Sequence, residues 1–338
     1  MSSGAEIAEA GIAAMDPAEA RAGVARRLRR GRIIDRWFAR LTWLSGMAVL
    51  ALVLAIAGAL LVGALPIIDR FGLDFLASRH WNPVSEQFGA FTSIVGTLVT
   101  SAIAIVIAVP VSLGVSLFIT ELAPGWLKRP VGTAVELLAA IPSIIYGMWG
   151  LFVFAPYFAD HVQPWMNDRL AGVPGLGSLL TGPPFGIGVL TAGLILAIMI
   201  IPFIAAVMRD VFEAVPAVLK ESAYGLGATT WEVFRTVTLR YTKAGIVGGV
   251  MLGLGRALGE TMAVTFVIGN SHELHASLFM PGNTISSTLA NEFNEATGQM
   301  YTSALIALGL ILFFITFLVL AVARLMLLRM RAGEGKTS

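Results

Sequence analysis

Residues 244–268 read AGIVGGVMLGLGRALGETMAVTFVI. The run is long enough to cross a bilayer, since about 20 apolar residues span the hydrocarbon core as a helix. Arg256 stands at its middle, with Glu260 four residues on. An arginine at a bilayer centre costs about 2.5–3.5 kcal/mol on insertion scales, so it is kept only where it faces protein or a watery path. On a continuous helix, four residues advance about 400° and about 6 Å, which predicts Arg256 and Glu260 paired on one face. Such a pair marks where a charged solute crosses. The competing reading is a buried ion pair that only fixes helix packing. Intramembrane charges are functional-site candidates by default, which favours the first reading.

The rest of the chain fits the same setting. Of 338 residues, 57% are hydrophobic and 13% charged, against about 25% charged in a soluble domain. The fold class expected is all-α: a polytopic membrane protein with six transmembrane helices. The six apolar runs are Leu41–Ile68, Gly96–Thr120, Val131–Phe158, Gly186–Val207, Ala244–Ile268 and Ser303–Leu327. Pro110, Pro142 and Pro202 fall inside three of them and predict kinks. The absence of cysteine excludes disulfides and thiolate metal sites. Residues 1–40 are Ala-rich and then basic, and the apolar run that follows is too long for a cleavable signal and suits an anchor.

Lys and Arg set the orientation. With the N-terminus in the cytoplasm, nineteen basic residues fall in inner segments and three (Arg70, Arg79 and Arg169) in outer loops. The last outer loop, Asn270 to Tyr301, has none. Both termini are therefore expected in the cytoplasm of a multi-pass protein of the bacterial inner membrane. The expected organisation is a tail over 1–40, a first transmembrane helix over 41–68, a core over 92–327 and a C-terminal tail over 328–338.

The longest inner connection is residues 208–243, MRDVFEAVPAVLKESAYGLGATTWEVFRTVTLRYTK. It is too polar to insert and too patterned to be a linker. Pro216–Tyr224 and Thr230–Val237 look helical, separated by Gly225 and Gly227, with Pro216 suited to a helix start. A helix–turn–helix here fits docking onto another protein. An ordinary amphipathic loop fits the pattern equally well.

Within this segment stand Glu221-Ser222-Ala223, then Gly227, Val237 and Leu239. The spacing resembles the EAA loop of the binding-protein-dependent ABC importer permeases, here over about 213–240. Ser222 replaces an alanine, Val237 an isoleucine, and Arg240 the usual proline. Three further runs, Phe88–Pro124, Ala139–Pro156 and Leu254–Asn270, are similar to permeases of high-affinity phosphate importers. The run Arg256-Ala257-Leu258-Gly259-Glu260-Thr261-Met262-Ala263-Val264 resembles the C-type (PstC) subunit more than its A-type (PstA) partner. Pro281–Ala296 points the same way.

The resemblance implies a type I ABC importer permease fold and import of inorganic phosphate. It makes Glu221, Ser222, Ala223, Gly227, Val237 and Leu239 the ATPase-coupling loop. It implies a second, PstA-like permease, two PstB-like ATP-binding subunits and an external PstS-like phosphate-binding protein, all around a chain set in the lipid bilayer. No nucleic-acid partner is implied. ATP is used by the partner subunits, and this chain is expected to bind no cofactor and to be no enzyme itself. The A-type role, another oxyanion, an ion-coupled secondary transporter and a non-transporting scaffold are the alternatives.

Arginine suits the anionic substrate, because its planar fork of donors matches phosphate oxygens and keeps its charge. Glu260 would neutralise Arg256 between solutes and keep retention weak, as a path requires. Thr261, Ser143 and Tyr146 are the other path candidates; Thr261 and Thr265 could add hydroxyl contacts, although such threonines more often bond back to their own helix carbonyls. Glu136 reads as a packing or interfacial group, and Asp210 as a cap or ion-pair member. His272 and His275 flank Glu273 too sparsely to indicate a metal. Moving each charge against 100 mV costs about 2.3 kcal/mol, so importing a dianion costs about 5 kcal/mol and needs a power source.

Overall fold

The computed structural model describes residues 17–334, with side chains described over 35–329. The ends of both expected tails, residues 1–16 and 335–338, lie outside the described residues. Among the described residues the chain is helical, with a single isolated β-bridge between Asn82 and Gln87. The described residues up to Ala59 and those from Leu60 onward form separate compact units.

Helix α1 (Pro17–Phe71) carries the first apolar run. In the first unit its described side chains, from Asp35 to Ala59, are nearly all exposed. That is the expected condition of a helix whose apolar surface faces lipid.

The second unit is built on α2 (Phe91–Leu117) and α5 (Val189–Glu213). Among the candidate spans, α5 is the most buried. The face of α2 toward α5 is small and hydroxylated, which lets two backbones approach closely in a membrane. Ser112 donates to the Ile201 carbonyl at 2.9 Å and Ser116 to the Ala205 carbonyl at 2.8 Å. These bonds join the two helices on either side of Pro202. Both α2 and α5 run unbroken through their prolines, Pro110 and Pro202.

Pro142 behaves differently. The third expected span, Val131–Phe158, is divided into α3 (Gly125–Ala139) and α4 (Ser143–Leu170), which meet at 88°. Proline disfavours a helical conformation in the residue before it. Here it stands as the N-cap of α4, and the chain turns at Ala140–Ile141.

The fifth expected span is divided too. After α6 (Ala217–Gly225) and α7 (Thr230–Val233), a π-helical turn at Phe234–Thr238 leads without interruption into α8 (Leu239–Leu258). The helix then stops, and α9 (Met262–Val267) starts anew. Gly249 and Gly253 on α8 lie against Val207 and Ile204 of α5, so these small residues serve packing within the chain.

The segment 270–302, expected as an outer loop, is not simply a loop. Its backbone returns onto the start of α5, where Leu190 donates to the Leu278 carbonyl at 2.8 Å. It then forms α10 (Ile285–Glu292), opened by a Thr284–Ser287 capping box. Ile285, Ser286, Ser287 and Thr288 are buried. The final helix, α11 (Gln299–Glu334), holds the last apolar run. Among the described residues four helices are long and apolar enough to cross a membrane, or five with the bent pair α3–α4 counted as one. The broken α8–α9 segment falls outside that count, although its position is compatible with a sixth crossing.

Gly96 of α2 packs directly under the Asn283 carbonyl, in space where any Cβ would collide with backbone. Gly114, on the same helix, faces open space. Gly96→Val is therefore expected to destabilise the protein by about 1–3 kcal/mol, the usual cost of overpacking. Gly114→Val should be close to neutral. Thermal midpoints of the two detergent-purified variants check this, and equal midpoints would contradict the packing.

Candidate functional site

Arg256 lies in the last turn of α8. Its guanidinium carbon sits 5.3 Å from the centre of the Phe203 ring on α5. A cation over an aromatic face gains about 0.5–1 kcal/mol at exposed sites and more when desolvated. The C-terminal end of α8 adds partial negative charge that favours a cation.

The expected pair with Glu260 does not form. Among the described residues the ion pairs involve Arg70, Arg209, Lys220, His272 and His275, and none involves Arg256. The cause is the break. Gly259 leaves the helical conformation at φ −94°, ψ 3°. Glu260 donates its N–H to the Ala257 carbonyl at 3.3 Å, as a turn. Its carboxylate then accepts the Ala263 N–H at 3.1 Å and so caps α9. Each charge is matched to a helix end, the cation to a C-terminus and the carboxylate to an N-terminus. The guanidinium fork is thereby left without a carboxylate.

Two other path candidates lie near this point. Tyr146 on α4 donates to the Leu138 carbonyl at 2.9 Å across the α3–α4 bend, and its phenol lies within the electrostatic reach of Arg256. Thr261 stands at the break and borders an open hollow of about 430 Å³ with Ser286, Phe293 and Asn294. Ser143 begins α4, half-buried at the bend. Thr265 donates to the Thr261 carbonyl at 2.7 Å, within its own helix.

The second cluster is the segment around α6. None of the residues of α6 itself is buried. Glu221 and Ser222 are exposed and Ala223 half-buried. Gly227 has φ +86°, the left-handed region in which glycine carries no Cβ penalty. It closes α6 in a Schellman motif: Ala228 donates to the Ala223 carbonyl at 3.2 Å and Gly227 to the Tyr224 carbonyl at 2.9 Å. Thr229 and Glu232 then form a capping box that opens α7. The Thr229 backbone and hydroxyl donors hold the Glu232 carboxyl below the usual carboxylate range. Val237 lies in the π-turn, and Leu239 packs on the core as the first residue of α8. Arg240, where the family pattern has proline, keeps its N–H and lets the helix run on.

Here Val218 of α6 is 69% exposed and Leu226, just after the helix, 90%, with Leu219 and Tyr224 also exposed. Exposed apolar side chains gathered in one polar segment suit a partner surface. Sequence reading missed the ion pairs behind it. Arg209 bonds Glu136 at 2.5 Å and Asp210 at 3.0 Å, and Lys220 bonds Glu121 at 2.6 Å. The expected roles of Glu136 and Asp210 as interfacial or paired groups thus meet in one arginine.

His272 belongs to a polar knot. It bonds Glu292 at 2.7 Å, while Trp81 and Tyr301 donate to the other oxygen of Glu292 at 2.8 and 2.6 Å. Burial works to raise the Glu292 carboxyl, but these donors outweigh it and hold the group below its ordinary range. His275 pairs with Glu273 at 3.4 Å. Among the described residues no three metal-ligating side chains converge.

Residues 111–332 match the family described as "Binding-protein-dependent transport system inner membrane component". The chain is 58% identical over 308 residues to "Phosphate transport system permease protein PstC" of Mesorhizobium japonicum, covering 91% of this chain and 94% of that protein. It is 59% identical over 304 residues to the protein of the same name in Pasteurella multocida, covering 90% and 95%. It is 39% identical over 277 residues to "Probable phosphate transport system permease protein PstC" of Methanocaldococcus jannaschii, covering 80% and 86%. In fold it resembles a crystal structure of a bacterial ABC transporter involved in the import of the acidic polysaccharide alginate, with a TM-score of 0.52 and 19% identity over 78% of this chain and 88% of that one.

Proposed function

The chain belongs to the family of binding-protein-dependent transport system inner membrane components, and from this premise we propose that it is the permease subunit of an ATP-driven importer of inorganic phosphate. It is a multi-pass membrane protein, not an enzyme in its own right, and works with ATPase subunits and a substrate-binding protein. The observation that carries phosphate as the solute is the near full-length likeness, at 39–59% identity, to permeases of phosphate transport systems in three organisms. The closer partners are a PstA-like second permease, two PstB-like ATP-binding subunits and a PstS-like phosphate-binding protein. ATP stays with the PstB-like pair. The distribution of Lys and Arg supports a bacterial inner-membrane setting with both termini in the cytoplasm. The working division is a tail over 1–40, an anchor helix over 41–68, the permease core over 92–327 and a tail over 328–338.

The path assignment starts at Arg256. A guanidinium that is not paired with Glu260 offers its fork to phosphate oxygens. The ring of Phe203 holds it without consuming its hydrogen-bond donors. Glu260, beside it at the break, limits how strongly a dianion is retained, which favours release. Thr261, Tyr146 and Ser143 supply hydroxyls around the same break and bend. Coupling falls to Glu221, Ser222, Ala223, Gly227, Val237 and Leu239, through the exposed surface of α6 and the continuous helix into α8.

The test is reconstitution of the whole complex in vesicles, with ATP on the ATPase side and binding protein with labelled phosphate on the other. Uptake should require both. Uptake driven by a proton or sodium gradient without ATP would overturn the proposal. In the same assay Gly227→Val should force a branched residue into the left-handed region, at about 1–2 kcal/mol. It should reduce ATP-binding subunit retained on the purified permease and reduce uptake with it. Full retention would remove the turn from the coupling surface.

A further inference from the structure

We propose that the Lys220–Glu121 ion pair is a strut that carries motion of α6 into the α2–α5 pair and so positions the seat of Arg256. The inference rests on the importer reading above and adds a second mechanical route to it. The first route is the unbroken helix from Thr230 to Leu258, which ends beside Arg256.

The second begins on α6. That helix buries none of its residues, so apolar packing does not fix it to the body of the chain. Lys220, next to Glu221, reaches Glu121 at 2.6 Å across 99 residues of sequence. The pair is largely shielded, with the Lys220 side chain 18% and the Glu121 side chain 9% exposed. Shielding sets it apart from surface pairs that contribute little. A shielded charge that loses its partner is left desolvated and uncompensated, so the two groups move together.

Glu121 lies in the π-helical turn Phe118–Leu122, which continues α2. From there α2 is bonded to α5 by Ser112 and Ser116. Phe203, under Arg256, lies on α5 between the two carbonyls that these serines hold, Ile201 and Ala205. Every link in this route is a packed helix or a named bond. A displacement of α6 that drags Lys220 therefore reaches the ring beneath the guanidinium as well as the helix that bears it.

Lys220 and Glu121 are positioning residues: they touch no solute. Their signature is a change in labelled phosphate moved per ATP hydrolysed, measured on the reconstituted complex. Glu121→Gln keeps the shape and removes the charge, and it should lower that ratio at least threefold. Lys220→Arg keeps the charge and should hold the ratio within twofold of wild type. The exchange Glu121→Lys with Lys220→Glu should recover most of what Glu121→Gln loses. A Glu121→Gln ratio equal to wild type would overturn the strut. So would equal losses in Glu121→Gln and Lys220→Arg, an exchange that recovers nothing, or failure of the Glu121→Gln complex to assemble, which would make the pair a structural clamp. ATP-dependent uptake by the wild-type complex is read in parallel. Its absence would count against the importer reading and not against the strut.

Discussion

Arg256→Gln should reduce ATP-dependent phosphate uptake by about 10- to 100-fold while the complex still assembles. The magnitude follows from the interaction removed. A hydrogen bond to a charged group contributes about 1.5–3 kcal/mol, and each 1.4 kcal/mol is about tenfold in an equilibrium or a rate. The survival of assembly follows from the geometry. Because Glu260 caps α9 and does not pair with Arg256, removing the guanidinium strands no buried carboxylate. The loss to the fold is then the contact with Phe203, about 0.5–1 kcal/mol or somewhat more where desolvated. Arg256→Lys should fall between wild type and Gln, since it keeps the charge and loses the planar fork. Uptake at the wild-type rate in Arg256→Gln would remove this residue from the path. Collapse of the complex in the same variant would make it a packing group.

The second large effect is expected at α6. Glu221→Lys should cut uptake at least tenfold and weaken retention of the ATP-binding subunits, yet leave the thermal midpoint of the isolated permease within a degree or two of wild type. Glu221 is exposed, and exposed substitutions away from special features shift stability by about 0.5 kcal/mol or less. At an interface the same residue meets a partner, where a reversed charge acts against a complementary surface at a cost of several kcal/mol. Leu226→Asp, at the most exposed apolar residue of this segment, should act in the same way. Normal uptake with normal subunit retention in both variants would take α6 out of the coupling surface.

Much of this architecture was legible in the sequence, because bilayer crossing leaves a coarse signal. Apolar runs of about 20 residues stand out without tertiary information, and four of the six expected runs form long apolar helices. The turn at Gly227 was legible for a local reason: a glycine between two helical stretches fits the left-handed region it occupies. The breaks were not. Gly259–Thr261 lies inside one long apolar run, and the four-residue spacing of Arg256 and Glu260 implies a pair only while the helix continues. Pro110, Pro142 and Pro202 look alike as letters. Two remain within helices while the third sits at an 88° bend. Ser112 and Ser116 tie the first and the last of these helices together, and that is a property of the neighbour. The short helix α10 was hidden by its polar composition, although Thr284 and Ser287 stand at the spacing of a capping box. The pairs Lys220–Glu121 and Arg209–Glu136 join residues 99 and 73 positions apart, and spacing carries no trace of them.

The gap between α8 and α9 has a mechanical meaning. A helix transmits torque only along its continuous ladder of hydrogen bonds, and that ladder ends at Leu258. Arg256 belongs to α8, whereas the Glu260 carboxylate is bonded to the first turn of α9 and only its backbone N–H returns to α8. The break thus separates a positive charge at the end of one helix from a negative charge at the start of the next. On the proposed phosphate path, the spacing of these two charges is therefore set by two helices and not by one.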